Sequence, residues 1–186
     1  MPRSPELDLM ISPASAWRRL AKTPPAGHWL ARPLLVALTL GCAVSIMGSG
    51  RLTLRLALPV ALYASFVPVL QIASLAIVCR GIAPFRRTVD LFFASHLPWT
   101  LWLVGSAVVW GIMPTAAVVP YSYGWRLSAV VIFAWTAYID FQFFHQLSPR
   151  SAVRRLIAQR TICWIPGLLI FVAPAAWQAF ASRAGL

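Results

Sequence analysis

Between Arg55 and Arg80 the chain runs from Leu56 to Cys79 without one charged residue. Wound as a helix at about 1.5 Å per residue, a stretch of that length covers the ~30 Å hydrocarbon layer of a bilayer. A second uncharged stretch opens after Asp90 and runs from Leu91 to Met113. In water such segments must be covered on every side. A chain of 186 residues that is 60% hydrophobic, with a mean hydropathy of +0.75, has too little polar surface to provide that cover. Lipid is the expected solvent, and the expected fold class is an all-α integral membrane bundle.

Three further stretches complete the hydropathy pattern. Pro33 to Gly50 lies between Arg32 and Arg51, Leu127 to Phe144 is interrupted only by Asp140, and Thr161 to Phe180 follows Arg160. The expectation is five transmembrane helices at 33–50, 56–79, 91–113, 127–144 and 161–180. They form a domain over residues 30–186, preceded by a cytoplasmic segment, 1–29, with a short amphipathic helix. Arginine placement tests this count separately, because basic residues stay on the cytoplasmic side. Five crossings put twelve basic residues with the N-terminus, among them Arg3, Lys22, Arg80 and Arg150, and leave Arg51, Arg55, Arg126 and Arg183 opposite. The N-terminus is therefore expected in the cytoplasm and the C-terminus in the periplasm. Trp17, Trp29 and Trp164 are expected at the inner interface, and Trp110, Tyr121, Tyr123, Trp125 and Trp177 at the outer one.

The formal charge of +12 is spread over short segments between apolar stretches and not over one soluble face. Nucleic acid is not an expected partner; anionic lipid headgroups are, together with other membrane proteins. Fifteen of the sixteen basic residues are Arg, a bias of GC-rich bacterial genomes, and the bacterial inner membrane is the expected location. Cys42, Cys79 and Cys163 have no C-x-x-C spacing and are expected as free thiols. The first thirty residues lack an apolar core before a small-residue cleavage site, so the first span is expected to act as the insertion signal. Leu38 to Cys42 lies too deep for a lipoprotein box.

Two basic stretches match at seven of nine positions: Ser12-Pro-Ala-Ser-Ala-Trp-Arg-Arg-Leu20 and Ser148-Pro-Arg-Ser-Ala-Val-Arg-Arg-Leu156. In each, Ser is placed to cap a helix that starts with Pro and lies on the membrane, a shared local solution. Arg18, Arg19, Arg86, Arg87, Arg154 and Arg155 are the expected headgroup contacts. Ala37, Gly41 and Ser45, four residues apart, form a candidate packing seam, within the monomer or between two copies. Pro59, Pro68, Pro98, Pro166 and Pro174 predict kinked spans. Gly48-Ser49-Gly50 reads as a turn, and Pro114 to Gly124 as a turn-rich connection.

Polar residues inside spans are functional candidates, because a charge at bilayer centre costs about 2.5 to 3.5 kcal/mol even on the lenient scale. Asp140 lies four residues from the end of its span, close enough to reach the interface, where Arg residues of the second or fourth loop can neutralise it. Asp90 opens the third span, where a carboxylate suits a helix N-terminus. The segments Asp90 to His96 and Asp140 to His145 both belong to the inner half of the membrane. Asp90, His96, Asp140 and His145 are thus a candidate polar cluster, of a type that binds a divalent metal or relays protons. A haem between His96 and His145 is disfavoured by their difference in depth, about 9 Å. No cofactor is expected, and there is no nucleotide-binding loop, zincin helix or nucleophile motif.

Ser12-Pro-x-x-Ala-Trp17, Pro98, Trp135 and the run from Gln146 to Val153 together resemble the Yip family of small five-span membrane proteins, named for interaction with Ypt and Rab GTPases. The resemblance covers most of the chain from about Asp8. It implies five spans with a cytoplasmic N-terminus, and for bacterial members a membrane adaptor. Asp8-Leu-Met-Ile-Ser-Pro13 departs from the Asp-Leu-x-Gly-Pro segment of eukaryotic members by an extra residue and the lack of Gly, so Rab binding is not carried over. The expected function is a non-enzymatic adaptor or scaffold. The alternatives are a small transporter or permease subunit using the Asp/His cluster, and an accessory subunit of a membrane redox complex.

Overall fold

The computed structural model describes residues 5–20, 22, 28–49, 52–112 and 122–184, and most side chains among them as far as residue 170. Regular structure among these residues is helical throughout, in agreement with the all-α expectation. The helices are α1 (Pro5–Ile11), α2 (Pro13–Leu20), α3 (Ala31–Ser49), α4 (Leu54–Ala64), α5 (Phe66–Val78), α6 (Phe85–Ala94), α7 (Leu97–Ile112), α8 (Ser122–Leu147) and α9 (Ala152–Ala184).

Two breaks have local causes. Ser65 parts α4 from α5, its amide reaching back to Ala61 O, and Pro68 three residues on has no N–H to offer the preceding turn. Ser95 and His96 part α6 from α7, ahead of Pro98, and the two helices bend there by 46°. Leu54–Val78 and Leu127–Leu147 are long and apolar enough to cross a bilayer, and the bent pair makes a third crossing if it is one span. Ala31–Met47 is a shorter apolar helix.

Small residues bring the helices together. Ala37, Gly41 and Ser45 are buried, and a Cβ on Gly41 would sit 2.5 Å from the Ala61 Cα, so the α3 backbone lies directly on α4. The seam expected from the sequence is therefore filled by the chain's own α4. A second small-residue face of α3 meets α7 through Ala43, Leu103 and Ala107. The outer surface is apolar: Leu34, Leu58, Leu62, Val131, Leu168 and Leu169 are each more than half exposed. So many exposed large apolar side chains are compatible with a membrane setting.

Several local expectations change. The N-terminal segment forms two helices and not one, and both pack against the bundle. Leu9, Ala16 and Trp17 are buried with Phe92, Ile139 and Phe143; the Trp17 indole donates to Ile139 O at 3.1 Å, and Trp135 donates to Met10 O. The second basic stretch is no separate interfacial helix. After a 3-10 turn at Pro149–Ser151 it runs straight into α9, and Ser148 makes no side-chain cap, meeting the Ser151 hydroxyl instead. Arg160 therefore lies in a helix and not in a loop. Helix α6 begins at Phe85, so Asp90 sits mid-helix and not at an N-terminus. Helix α3 continues through Ser49 where a turn was expected. Residues 113–121, and the Tyr121, Tyr123, Arg126, Trp177 and Arg183 side chains, lie outside those described.

Candidate functional site

At one end of the bundle, where α2, the turn at Gly81 and the α8–α9 connection meet, aromatic side chains form the main core. Phe92 packs on Phe143 and Phe144, and Trp17 closes over Phe143 at 5.1 Å. Polar side chains thread this core in separate groups. Asp90 pairs with Arg32, which also reaches Glu6 at 2.8 Å, joining α1, α3 and α6. Asp140 on α8, 1% exposed, pairs with Arg160 of α9. The Ser95 hydroxyl lies 2.9 Å from Asp140 Oδ1 and 2.6 Å from Phe92 O, with one proton to share between them.

His96 is buried beside Ser95. Its Nε2 accepts from Gln71 Nε2 at 2.9 Å and its Nδ1 donates to Phe92 O at 3.4 Å, so both ring nitrogens are occupied. His145 is exposed on α8 against Phe141. The four residues expected as one cluster thus divide: Asp140 and His96 flank Ser95, Asp90 belongs to Arg32, and His145 faces outward. Among the described residues no three of His, Cys, Asp and Glu approach closely enough to hold a metal ion.

A cavity of about 290 Å³ lies between α3, α5, α7, α8 and α9, with His96 of the α6–α7 break in its wall. One end is polar, lined by Gln71, His96, Thr136, Gln159 and Arg160. The other is walled by Leu40, Phe66, Trp99, Phe133, Trp164 and Leu168. This polarity follows from chain direction. In α5 the apolar lining precedes Gln71, and in α8 Phe133 precedes Thr136. In α7 and α9, which run the opposite way, it follows His96 and Arg160. From Arg160 to Gly167 the drop is about 10 Å at ~1.5 Å per residue. An aromatic ladder stiffens the apolar end, Trp102 on Trp99, Trp99 on Phe133 and Phe133 on Trp164, with centroids 5.0, 4.6 and 5.1 Å apart.

Gln71, Gln159 and Arg160 line this cavity, and their Oε1, Oε1 and Nε atoms are buried without a hydrogen-bond partner. Sequence reading missed Gln71 and Gln159, and counted Arg160 with a loop. The available signal was a polar residue inside or just before an apolar span, the one applied to Asp140. Trp17, expected at the inner interface, is a core residue, and Trp164 is a half-exposed wall of the cavity. Cys79 and Cys163 are buried free thiols, and Cys42 is half-buried.

The six arginines expected at headgroups also divide. Arg18, Arg86 and Arg154 are exposed. Arg19 is tied to Asp8 at 2.8 Å, Arg87 donates to Leu20 O, and Arg155 donates to Ser151 Oγ and Val78 O. No family model matches the sequence, and neither a curated protein nor a solved structure shows a match to it.

Proposed function

We propose that this chain is a five-span protein of the bacterial inner membrane, with its N-terminus in the cytoplasm and its C-terminus in the periplasm. In this reading it is a non-enzymatic, Yip-like adaptor that holds lipid or partner proteins on a basic inner face. The observation that carries the reading is the division of the arginines at one end of the bundle. Arg32, Arg87, Arg155 and Arg160 are spent on internal contacts and Arg19 on a surface pair with Asp8, while Arg18, Arg86 and Arg154 stay exposed around the same end. Exposed guanidinium groups beside an apolar exterior suit phosphate headgroups or an acidic partner surface. In the five-span reading α3, α8 and α9 each cross once, and the pairs α4–α5 and α6–α7 each form one broken span.

Reconstitution into nanodiscs of neutral and of anionic lipid tests the inner face. Native mass spectrometry is expected to find anionic lipid retained by the wild-type chain. Retention should fall several-fold in the Arg18→Glu, Arg86→Glu, Arg154→Glu variant, in a protein that unfolds at the same temperature. Equal retention by both proteins would remove the basic face from the proposal.

A second reading, a small transporter or permease subunit, is favoured by the polar cavity beside the α6–α7 bend. Solute uptake by vesicles holding only this protein, abolished by Asp140→Asn, would put it first.

A further inference from the structure

We infer that α1 and α2 form a re-entrant hairpin, whose tip from Met10 to Pro13 sits among the acyl chains of the inner leaflet. The two arms are tied together by Asp8 and Arg19, 2.8 Å apart, and their open ends share one end of the bundle. Glu6 holds Arg32, the second residue of α3, and the Leu20 carbonyl accepts from Arg87, the third residue of α6.

The tip reaches much farther along the bundle. The Trp135 indole of α8 donates to Met10 O at 3.1 Å, and the Trp17 indole of α2 donates to Ile139 O at 3.1 Å. These two contacts bracket Ala137, the middle residue of the apolar stretch Leu127–Leu147. Depth then follows from helix geometry. With 26 residues at ~1.5 Å each, an upright α8 is about 39 Å long, and a ~30 Å hydrocarbon layer can slide along it by only about 9 Å. At either limit Trp135 lies at least about 10 Å inside that layer. A carbonyl bonded to its indole lies inside as well.

Composition agrees with that depth. Leu9 to Trp17 carries no charge, whereas Glu6 and Asp8 precede it and Arg18 and Arg19 follow it. Leu7 and Ile11, one turn apart on α1, are 44% and 60% exposed. Arms of seven and eight residues, each about 10–12 Å long, are too short to cross a ~30 Å layer and long enough to enter it.

Backbone at such a depth needs partners from the protein, since hydrocarbon supplies none. The turn has them. The Ser12 N–H donates to Asp8 O, Pro13 has no N–H, and the Ser12 carbonyl accepts from the Ala16 N–H and the Ser15 hydroxyl. The Met10 carbonyl takes the Trp135 indole. The hairpin can leave water without stranding these groups. The inference rests on the membrane-resident reading and makes no use of the basic inner face. Val131 of α8, 67% exposed and four residues before Trp135, supplies a control that separates the two.

The test uses the full chain in phospholipid vesicles, carrying a nitroxide on one introduced cysteine: Ile11→Cys, Val131→Cys or Arg154→Cys. The background is Cys42→Ala, since Cys79 and Cys163 are buried. Collisions with oxygen, which concentrates among acyl chains, are compared with collisions with a water-soluble nickel chelate. The nitroxide at Ile11 is expected to match the one at Val131, meeting oxygen several-fold more often than the chelate, and the one at Arg154 to show the reverse. An Ile11 nitroxide that behaves like Arg154, while Val131 still prefers oxygen, would overturn the hairpin and leave the membrane-resident reading standing. Preference for the chelate at Val131 too would overturn both. A second variant reads the same claim without a label. Ile11→Glu, a change that an exposed residue in water tolerates, should dislodge a tip held in lipid. Trypsin acting on inside-out vesicles is then expected to cut after the exposed Lys22 several-fold faster than in wild type. Cutting at the wild-type rate would place the tip in water and overturn the inference.

Discussion

Asp140 and Arg160 show how a single pair can organise a bundle end. Among the described residues Asp140 pairs with Ser95 and Arg160, and the three join the α6–α7 break to α8 and α9. Removing one member of such a pair leaves the other buried and unpaired, which costs about 3–5 kcal/mol, whereas removing both is far milder. Thermal unfolding in detergent is expected to find Asp140→Leu and Arg160→Leu each strongly destabilised and the double variant close to wild type. Additive losses would mean that the pair is not coupled. Gly41 supplies a second residue-scale expectation. Gly41→Leu drives a side chain into the Ala61 backbone and should cost about 3 kcal/mol or prevent folding. Gly105→Ala, with nothing within 4 Å of the new Cβ, should stay within about 1 kcal/mol of wild type in the same assay. The exceptional standing of Asp140 was legible in the sequence, because a lone carboxylate in an apolar run must find a partner. Which Arg served it was not, since that depends on how far up α9 the register places residue 160.

Helices were legible where apolar runs were long. Their ends were less so, because arginine is a good helix former and α9 can carry its basic start into the span without a break. The turn expected near Gly48 failed for a related reason: glycine lowers helix propensity, but packing of α3 between α4 and α7 outweighs it. Docking of α2 was read as membrane contact because Ala16 and Trp17 present the same apolar face to a bilayer or to a bundle. The bundle wins here through a specific hydrogen bond from Trp17 to Ile139 O, as well as through burial to 2% exposure. Trp17→Ala should therefore cost about 3–5 kcal/mol of local stability. In limited proteolysis of the detergent-solubilised protein, cleavage near residue 22 is expected to accelerate while the remaining fragment stays folded. Unchanged cleavage would return α2 to the membrane surface.

At the scale of the whole molecule, many large apolar side chains lie on the outside, while Asp90, His96, Asp140 and Gln159 are buried within a core that is itself mainly apolar. The described helices account for two or three crossings by length and hydropathy alone; the arrangement proposed above needs α3 and α9 to cross as well. That proposal makes the number of crossings odd and the two termini opposite. Topology is read directly by reporter fusions after Gly81, Gly124, Arg150 and Leu186, using a fluorescent protein active in the cytosol and a phosphatase active only outside it. The account predicts fluorescence after Gly81 and Arg150 and phosphatase activity after Gly124 and Leu186, in protein that resists carbonate extraction. Fluorescence from the Leu186 fusion, or protein released into the carbonate supernatant, would contradict it.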